Sequence, residues 1–500
     1  MINNLFLSLA IMVSTVSTAI PILADDLNVL FIAVDDLRPE LRCYGTEGLS
    51  TPNFDQLANS GVRFDRAYCQ QAVCGASRLS IMGGLYPTKT REQTFHIQAW
   101  RKRHPDLLTM NQHFKNNGFR TIGMGKIFHG TGGPDVDPKN WDQWIRIPGR
   151  VYADPTSFKM SREYNKEDKN SKRGPATECL DVADDQYSDG RRTAKAVEVI
   201  GRLANSKKRF FLAVGFTKPH LPFVAPKKYW DLYDRSRFSM PENTKIPPGY
   251  PVYAANQKAS ELRAYSDIQD RLPTEFPQEL NRKLLHGYAA CTSYTDACLG
   301  QILTALKQSG LAENTIVVLW GDHGWKLGDH SSWAKHTNFE CDTRVPLLIR
   351  VPGQSAGKST DSLIELIDLY PTLCQLTGIT IPKHCQGQSF AKLFDDTTLP
   401  HRTSAYSSYP GRKLPVSKIK NAKMKSDFRK EIGHSIRFGD YRYTEWRPFP
   451  ADPATVAVLT DLNSDPGEVT NVIDEEIHAD ALKRARSLLE QRVLDAIGTH

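Results

Sequence analysis

The sequence predicts an α/β fold with a mostly parallel central sheet flanked by helices, followed by a smaller C-terminal α+β subdomain. Two observations predict this class. Apolar runs of strand length alternate with helical segments along most of the chain, and shorter strand-like segments replace that alternation near the C-terminus. Strands that alternate with helices form parallel sheets, because each crossover returns the chain to the same end of the sheet. We therefore expect a main domain over residues 25–395 and the subdomain over residues 396–500.

The first predicted strand covers residues 27–34, a continuous apolar run that ends at Asp35 and Asp36. A run without polar alternation is typical of a strand that is covered on both faces. A helix is predicted next, because Thr51 is a favourable N-cap and Gly61 is a typical residue after a helix end.

Three further helix–strand units are predicted from helical periodicity followed by an extended apolar stretch. Their helices are expected near residues 106–117, 184–206 and 277–308. The strands that follow them are expected near residues 119–124, 210–216 and 316–320. Each of these strands would then lie parallel to the first.

The C-terminal part has a different composition. Residues 396–425 are rich in Lys, Ser and Pro and lack a long apolar run, which predicts a linker or a surface excursion. Three strand-like segments follow at residues 435–438, 441–446 and 456–462, and an amphipathic helix is expected over residues 474–497. These segments make up the predicted α+β subdomain.

The composition is that of an ordinary globular protein. With 500 residues, 40% hydrophobic and 24% charged, the chain is neither a disordered tail nor a disulfide-stabilised mini-protein. Lys and Arg number 64 against 56 Asp and Glu, which makes a formal net charge of +8. Spread over the whole surface, this excess predicts no nucleic-acid partner, although it favours an anionic ligand.

The N-terminal segment resembles a targeting sequence. Residues 5–20 form an apolar run that is too short to cross a bilayer comfortably, and small residues such as Ala24 follow it. We interpret residues 1–24 as a secretory signal peptide, although no Lys or Arg precedes the run; a buried first strand or helix is the alternative. We expect an exported protein without a membrane partner, secreted or periplasmic, or lysosomal if the source is an animal.

The cysteines leave two interpretations open. The chain has nine, at positions 43, 69, 74, 179, 291, 298, 341, 374 and 385. Cys69 and Cys74 have no matching His or Cys pair at zinc-finger spacing, so a structural zinc site is not expected. The others are expected to be buried thiols or, in an oxidising compartment, disulfide partners whose pairing the sequence does not define.

Polar side chains follow three of the predicted strands. Asp35 and Asp36 come after the first strand, His220 follows the strand near 210–216, and Asp322 and His323 follow the strand near 316–320. The carboxyl ends of parallel strands meet at one edge of a sheet, where ligands bind in open α/β folds. The spacing therefore predicts one shared site, although each cluster alone would be an ordinary cap or turn.

Three carboxylates brought together repel one another unless a cation lies among them. Ca²⁺, which accepts flexible oxygen coordination, fits the oxygens of Asp35, Asp36 and Asp322. His323 is a less suitable ligand for such an ion, because imidazole prefers softer metals. The sequence thus predicts a site for one divalent ion.

The most specific motif is Cys74-Gly-Ala-Ser-Arg78, which matches Cys-x-Pro/Ala-Ser-Arg. This pattern is the signature of type I, formylglycine-dependent sulfatases. Taken alone, it could equally be a buried cysteine at a helix start with an arginine nearby.

Further segments resemble the same family, in the same order and with the same spacing. The chain is similar to sulfatases of the alkaline phosphatase superfamily, in particular the iduronate 2-sulfatase branch. The matching segments are residues 28–40, 74–78, 125–129, 216–223, 321–325, 333–339, 435–437 and 440–446, with weaker support at 461–467.

The resemblance implies a sulfatase mechanism. In that family the formylglycine-generating enzyme oxidises the cysteine at position 74 to an aldehyde, whose hydrate has one oxygen to attack sulfur and another to expel sulfate. The resemblance further implies that Asp35, Asp36, Asp322 and His323, together with the modified Cys74, bind the metal ion. The sulfatase catalytic domain would then be the main domain.

The resemblance also implies roles for five other residues. Arg78 would hold the hydrate, and Lys126 and Lys335 would bind the sulfate oxygens. His220 would be the general acid that protonates the leaving alcohol, and His129 would be the base that collapses the sulfated hydrate. The implied substrate is a sulfated saccharide, with a 2-O-sulfated uronate as the expected group.

Departures from the family concern the substrate more than the chemistry. Gly321 stands where a serine is common, and His336 stands where the iduronate branch often has tyrosine. Segments 130–180 and 411–430 diverge and are expected to face the sugar. Two alternatives stay open at this point: a phosphoester or phosphonate monoester hydrolase of the same superfamily, and a non-catalytic binder of sulfated glycans.

Overall fold

The computed structural model describes residues 26–498, apart from some short segments. The segments left out are residue 98, residues 131–136, 166–167, residue 169, and residues 269–275, 414–429 and 449–452. The predicted signal peptide lies outside the described residues. Within them, no helix combines the length and the apolar character needed to cross a membrane.

The strands form one large sheet and three smaller ones. In chain order the strands are β1 (Asn28–Asp35), β2 (Val62–Phe64), β3 (Ala67–Tyr68), β4 (Arg120–Gly125), β5 (Gln143–Ile145), β6 (Thr177–Leu180), β7 (Phe210–Pro219), β8 (Phe223–Pro226), β9 (Thr315–Gly321), β10 (Arg344–Val345), β11 (Leu347–Arg350), β12 (Lys358–Thr360), β13 (Ile364–Glu365), β14 (Ala405–Lys413), β15 (Lys430–Phe438), β16 (Tyr441–Arg447) and β17 (Val456–Asp461).

The α-helices flank these sheets. They are α1 (Pro52–Ser60), α2 (Cys74–Gly83), α3 (Pro87–Thr90), α4 (Trp100–Arg103), α5 (Met110–Asn116), α6 (Pro155–Glu163), α7 (Ser188–Leu203), α8 (Lys227–Trp230), α9 (Gln278–Gln308), α10 (Glu340–Thr343), α11 (Leu369–Leu376) and α12 (Ala479–Ile497). The predicted helix–strand units are confirmed as α5–β4, α7–β7 and α9–β9, with helix ends that differ from the predicted ones by a few residues.

The large sheet has eight strands in the order β12-β2-β11-β9-β1-β7-β4-β5. Strands β9, β1, β7, β4 and β5 are parallel neighbours, and β11 is antiparallel to both β9 and β2. The predicted mostly parallel sheet is therefore confirmed. Strand β1 lies in its centre, between β9 and β7.

Two hydrophobic cores lie on opposite faces of this sheet. Leu30 and Ile32 of β1 point into the core that contains α7 and α9, whereas Val29 and Phe31 point into the core that contains α2, α5 and α11. Because β1 is covered on both faces, its sequence is a continuous apolar run instead of an alternating one.

The C-terminal sheet is antiparallel, in the order β14-β15-β16-β17, and α12 packs on it. This arrangement confirms the predicted α+β subdomain, while its boundary at residue 396 stays a prediction.

One part of the linker prediction for residues 396–425 is wrong. Strand β14 (Ala405–Lys413) lies inside that segment and pairs with β15. Its buried residues include Ser407 and Ser408, whose small polar side chains conceal burial in the sequence. Burial is possible because Ser407 Oγ donates a hydrogen bond to the Cys69 carbonyl (2.6 Å) and the Ser408 N–H donates to the Gln70 carbonyl (2.9 Å).

All nine cysteines lie within the described residues, and all nine are free thiols. Five of them, at positions 69, 74, 291, 298 and 374, are buried. The structure therefore agrees with the buried-thiol interpretation for these five and shows no disulfide among the nine.

Candidate active site

The candidate site lies at the carboxyl ends of four adjacent parallel strands. In the order β4, β7, β1 and β9, these ends carry Lys126, His220, Asp35 and Asp322, and His323 follows Asp322 directly. Parallel strands bring their carboxyl ends to one edge, so residues that are up to 288 positions apart in sequence meet there.

The backbone conformation of Asp36 allows the carboxylates of Asp35 and Asp36 to face the same edge of the sheet. Successive strand residues point to opposite faces, but Asp36 adopts φ +59°, in the left-handed region, directly after the strand ends. Its backbone N–H donates to Asp322 Oδ1 (3.1 Å), and its carbonyl accepts from the Tyr288 hydroxyl (2.8 Å). These bonds stabilise a backbone conformation that non-glycine residues seldom adopt.

Helix α2 supplies Cys74 and Arg78 from the side of the sheet edge. Cys74 is the first helical residue, and Arg78 follows one turn later on the same face. The Arg78 guanidinium is fully buried and donates to Asp322 Oδ2 (2.7 Å) and Asp35 Oδ1 (3.2 Å). Cys74 Sγ lies 3.1 Å from His323 Nε2, so the predicted nucleophile and the predicted metal ligands meet.

Two glycines allow β4 and β7 to approach closely beside the site. A Cβ atom on Gly215 would lie 2.2 Å from the Lys126 carbonyl oxygen, and one on Gly125, which has φ +77°, would lie 2.1 Å from the Gly215 carbonyl oxygen. Only glycine fits this contact, which places Lys126 at the sheet edge.

Close packing also explains the glycine at position 321, where the family often has serine. A Cβ atom there would lie 2.8 Å from the Leu37 carbonyl oxygen and 3.1 Å from Pro346 Cδ. Any larger residue at this position would displace the backbone next to Asp322.

Two lysines each pair with one aspartate of the site. Lys126 pairs with Asp35, and Lys335 Nζ lies 3.1 Å from both carboxylate oxygens of Asp36. Burial lowers the pKa of each lysine, but the adjacent carboxylates outweigh burial and raise both pKa values, so both side chains are cations. Lys335 also lies 4.6 Å from the Trp325 ring centre, a cation–π distance.

Glu261 is a site residue that the sequence analysis missed. It precedes a short 3₁₀-helix, Leu262–Ala264, and its carboxylate lies 3.1 Å from His220 Nε2 and 3.2 Å from Lys335 Nζ. Burial raises its pKa, but Lys335 and His220 outweigh burial and hold the pKa well below the usual range. No motif surrounds Glu261 in the sequence, so only the folded chain identifies it.

The carboxylates themselves are unequal. Burial opposes ionisation of Asp35, but Lys126, His220 and Arg78 outweigh it and hold the pKa of Asp35 well below the usual range. At Asp36 burial dominates and raises the pKa, because its cationic neighbours offset burial only in part.

The donor set fits a divalent cation. Ligand atoms of Asp35, Cys74, Asp322 and His323 lie within 4.8 Å of one another, and Asp36 belongs to an overlapping group that also contains Asp35 and Cys74. Three buried carboxylates concentrate negative charge that a hard cation would compensate. The predicted metal ligands are thus together in one place.

The two predicted catalytic histidines differ in environment. Nδ1 of His220 lies 2.6 Å from the Leu221 carbonyl oxygen, which can only accept a hydrogen bond, so Nδ1 carries a proton and Nε2 faces Glu261. Burial and Lys126 lower the pKa of His129 to about 3, which leaves its imidazole neutral. Nδ1 of His129 is buried and has no partner among the described residues.

These groups face a cavity of about 870 Å³. Its base contains the predicted reactive residues Cys74, Lys126, His129, His220 and Lys335. Its walls come from Trp144–Pro148, Tyr164, Arg173, Arg192, Glu261 and His336. Most of these wall residues belong to segment 130–180 or lie next to Lys335, whereas most of segment 411–430 is outside the described residues.

The structure places every predicted site residue at this edge, and their catalytic and metal-binding roles stay predictions. His336 adopts φ +87° and its ring stacks on Tyr409 at 5.7 Å. Burial and Lys335 lower the pKa of His336 to about 3, so it faces the cavity as a neutral ring.

Comparisons with known protein families agree with this geometry. A family model described as "Sulfatase" matches residues 27–379, and one described as "N-sulphoglucosamine sulphohydrolase, C-terminal" matches residues 328–494. Mouse (Mus musculus) iduronate 2-sulfatase is 34% identical over 92% of this chain and 93% of its own length. Human (Homo sapiens) iduronate 2-sulfatase is 34% identical over 86% of each chain.

Solved structures share the fold. One was determined in complex with its substrate D-glucosamine-2-N,6-O-disulfate and superposes with a TM-score of 0.70 at 21% identity, covering 95% of this chain and 98% of the other. A phosphonate monoester hydrolase of Agrobacterium radiobacter superposes with a TM-score of 0.70 at 22% identity, covering 94% of this chain and 96% of the other.

Proposed function

This chain belongs to the sulfatase family and is a sulfuric ester hydrolase, and from that premise we propose that it removes 2-O-sulfate from a uronate of a sulfated saccharide. The observation that supports this most strongly is the position of Cys74, 3.1 Å from His323 and in one cavity with Lys126, His220 and Lys335. The resemblance seen in the sequence is confirmed at the level of the family.

Family membership implies a formylglycine and a metal ion. Formylglycine at position 74 supplies a geminal diol, of which one oxygen attacks sulfur and the other helps to expel sulfate. The formylglycine-generating enzyme is therefore a proposed partner during maturation. We assign Ca²⁺ as the ion because the donors are mainly carboxylate oxygens, with Asp35, Asp36, Asp322 and His323 as the side chains that hold it.

The chain's own cations bind the charged groups. Arg78 lies over the carboxylates from the same helix face as Cys74, where it would hold the modified residue in place. Lys126 and Lys335 line the cavity and would bind the sulfate oxygens. A sulfate ester needs this compensation because its anionic oxygens repel a nucleophile.

Two histidines would move the protons. With Nδ1 engaged by the Leu221 carbonyl, a proton on His220 Nε2 is available for the leaving alcohol as the S–O bond breaks. His129 is neutral and its Nδ1 has no partner in the described part of the chain, so it can accept the proton when the sulfated hydrate collapses. The net reaction adds water to the ester and yields the alcohol, sulfate and one proton.

The substrate and the destination are further parts of the proposal. The relatives named iduronate 2-sulfatase, at 34% identity, support a 2-O-sulfated uronate. The apolar N-terminal segment at residues 1–24 supports export, to the outside of the cell or the periplasm, or to the lysosome in an animal.

The test combines mass spectrometry with sulfate release. Protein produced together with a formylglycine-generating enzyme should show the mass change of the peptide that contains Cys74, and it should release sulfate from 4-nitrophenyl sulfate and from a 2-O-sulfated uronate. Cys74→Ala should abolish turnover. Cys69→Ala is the matched control, since Cys69 is also buried but does not line the cavity. Retained turnover in Cys74→Ala would refute the mechanism.

The same assay separates the alternatives. Preference for a phosphate or phosphonate ester over the sulfate ester would favour the phosphoester hydrolase. The structural likeness to a phosphonate monoester hydrolase, at 22% identity, indicates a shared fold and does not distinguish the two. An unmodified Cys74 combined with glycan binding would indicate a non-catalytic binder.

A further inference from the structure

We propose that Arg173 forms a second anion-binding subsite in the active-site cavity, which recognises a carboxylate or sulfate group of the substrate other than the sulfate that is cleaved. The proposal rests on the proposed function and adds a requirement to it. The enzyme should prefer substrates that carry at least two anionic groups.

Backbone pairing holds Arg173 beside the catalytic groups. Its N–H donates to the Ala264 carbonyl (2.9 Å), and residue 173 forms an isolated parallel β-bridge with Tyr265. Ala264 ends the 3₁₀-helix that Glu261 precedes, and Glu261 contacts His220 and Lys335. Arg173 is therefore anchored to the same short turn that positions a residue of the catalytic cluster.

The guanidinium packs against two aromatic rings. Its carbon is 5.0 Å from the Tyr164 ring centre and 5.4 Å from the Tyr265 ring centre, and Nη1 donates to the Tyr265 hydroxyl at 3.3 Å. Tyr265 is buried and Tyr164 is partly buried. Aromatic rings orient a guanidinium without neutralising its charge, so its remaining N–H groups can bind an anion.

Arg173 interacts electrostatically with Glu261 but has no direct contact with a carboxylate of the described residues. Among the described residues it forms no ion pair, and its side-chain hydrogen bond goes to a neutral hydroxyl. Two other arginines near the catalytic groups are engaged, whereas Arg146 in the cavity wall is exposed to solvent. Arg78 pairs with Asp35 and Asp322, and Arg192 pairs with Asp189. A half-buried cation without a carboxylate loses hydration, which a bound oxyanion would replace.

The position of Arg173 in the cavity indicates where that oxyanion would lie. Arg173 and Tyr164 line the cavity that contains Cys74, and they also line an adjoining cavity of about 230 Å³. Lys126 and His220 are common to both cavities as well. A substrate whose scissile sulfate lies against Lys126 would therefore place another part of the sugar, or its neighbour, against Arg173.

Two sources share this chemistry, and substrate variants distinguish them. The first arm uses a 2-O-sulfated uronate and its carboxyl-reduced analogue, in which the carboxylate is a hydroxymethyl group. The second arm uses the reduced sugar linked to a residue that bears its own sulfate. We expect the wild-type enzyme to have at least about tenfold higher kcat/KM for the sugar with two anionic groups, since tenfold corresponds to one charged hydrogen-bonded contact.

The variant Arg173→Gln should lose this preference, so that the ratio of kcat/KM for the carboxylate and reduced sugars approaches one. The matched control is Arg263→Gln, which removes a positive charge from the same turn but does not line the cavity. The control should keep the wild-type ratio. If the wild type prefers the reduced sugar that is linked to a sulfated residue over the reduced sugar alone, the subsite binds sulfate.

The outcomes separate the two proposals. Suppose that the wild type cleaves 4-nitrophenyl sulfate and has the same kcat/KM for the carboxylate sugar and the reduced sugar. The proposed function then stands, and the Arg173 subsite is refuted. The wild-type comparison keeps this test valid even if Arg173→Gln does not fold. A preference that persists in folded Arg173→Gln also refutes the subsite. If the modified protein cleaves no sulfate ester, the proposed function itself fails.

Discussion

Two clusters of buried charged residues in this molecule differ in their charge balance and in their access to a cavity. The catalytic cluster at the sheet edge gathers Asp35, Asp36, Asp322 and Glu261 against Arg78, Lys126 and Lys335, and it opens into a cavity of about 870 Å³. A second group, the closing cluster, lies between the main domain and the C-terminal sheet and consists of Tyr86, Glu365, Asp368, Arg402 and Arg492.

The closing cluster is balanced, whereas the catalytic cluster is not. In the closing cluster two carboxylates meet two guanidinium groups, and Arg492 of α12 reaches Glu365 at 2.5 Å. In the catalytic cluster four carboxylates face three cationic side chains. A balanced buried cluster stabilises one structure, while an unbalanced one beside a cavity is completed by a ligand.

The largest expected effect concerns the catalytic cluster. Asp36→Asn should lower kcat/KM for sulfate release by about 1,000-fold, which is equivalent to about 4 kcal/mol, because the metal site loses a charged ligand. Thermal unfolding should separate function from stability. Ca²⁺ should raise the Tm of the wild type and a chelator should lower it, while the variant should respond weakly to both. A variant with full activity would remove the metal site from the mechanism.

The second effect concerns the closing cluster and should have the opposite character. Asp368→Asn should lower the free energy of unfolding by about 3 kcal/mol, because buried Arg402 loses its two charged contacts with Asp368 and keeps only Glu365, 3.6 Å away. The kcat of the folded enzyme should not change. Urea unfolding followed by fluorescence measures the difference, with the exposed Asp361→Asn as the control. A loss of kcat without a loss of stability would contradict the comparison.

A pH experiment tests whether a buried histidine next to the closing cluster is held neutral. His434 is fully buried, its Nδ1 lies 2.7 Å from the Tyr406 hydroxyl, and burial together with Arg447 lowers its pKa to about 3. The unfolded chain binds a proton near pH 6.5, so the stability from neutral His434 is complete above that pH and is lost as the pH falls toward 3.

Between pH 7 and pH 5 this residue should cost the wild type about 2 kcal/mol of unfolding free energy. His434→Gln lacks this titration, so the stability difference between wild type and variant should shift by that amount in favour of the variant. Urea unfolding at both pH values measures it. A difference that is independent of pH would show that His434 is not held neutral.

The smallest expected effect tests whether Glu261 belongs to the catalytic cluster. Glu261 is a positioning residue, since it touches His220 and Lys335. Glu261→Gln should lower kcat about tenfold with little change in KM, less than the roughly 100-fold or more expected for loss of a general acid. Glu261→Asp should recover part of the loss. If kcat is unchanged, Glu261 belongs with the structural ion pairs.

The sequence predicted the fold well where the physical signal is local. The continuous apolar run of β1 predicted a strand covered on both faces, because its alternate residues enter two separate cores. The linker prediction failed at β14, because small polar residues conceal burial that depends on partners such as Cys69. Apolar periodicity detects burial only where burial requires apolar side chains.

The candidate site divides in the same way. Asp35, Cys74 and Asp322 were predictable because they stand at strand ends or in a short motif with defined spacing. Glu261 and Arg173 were not, because neither lies in a motif. Their positions depend on backbone contacts between residues 173–174 and 264–266, which join two distant segments of the chain.

By itself, the sequence determined the family, the positions of the main parallel strands and the residue types that carry the chemistry, because hydrophobic runs and motif spacing are local properties. Only the tertiary structure decided which charges are neutralised by a neighbour and which face the cavity. That decision depends on distances between side chains from separate strands and turns. Electrostatic energy varies steeply with such distances and with burial, and neither is encoded in any single segment.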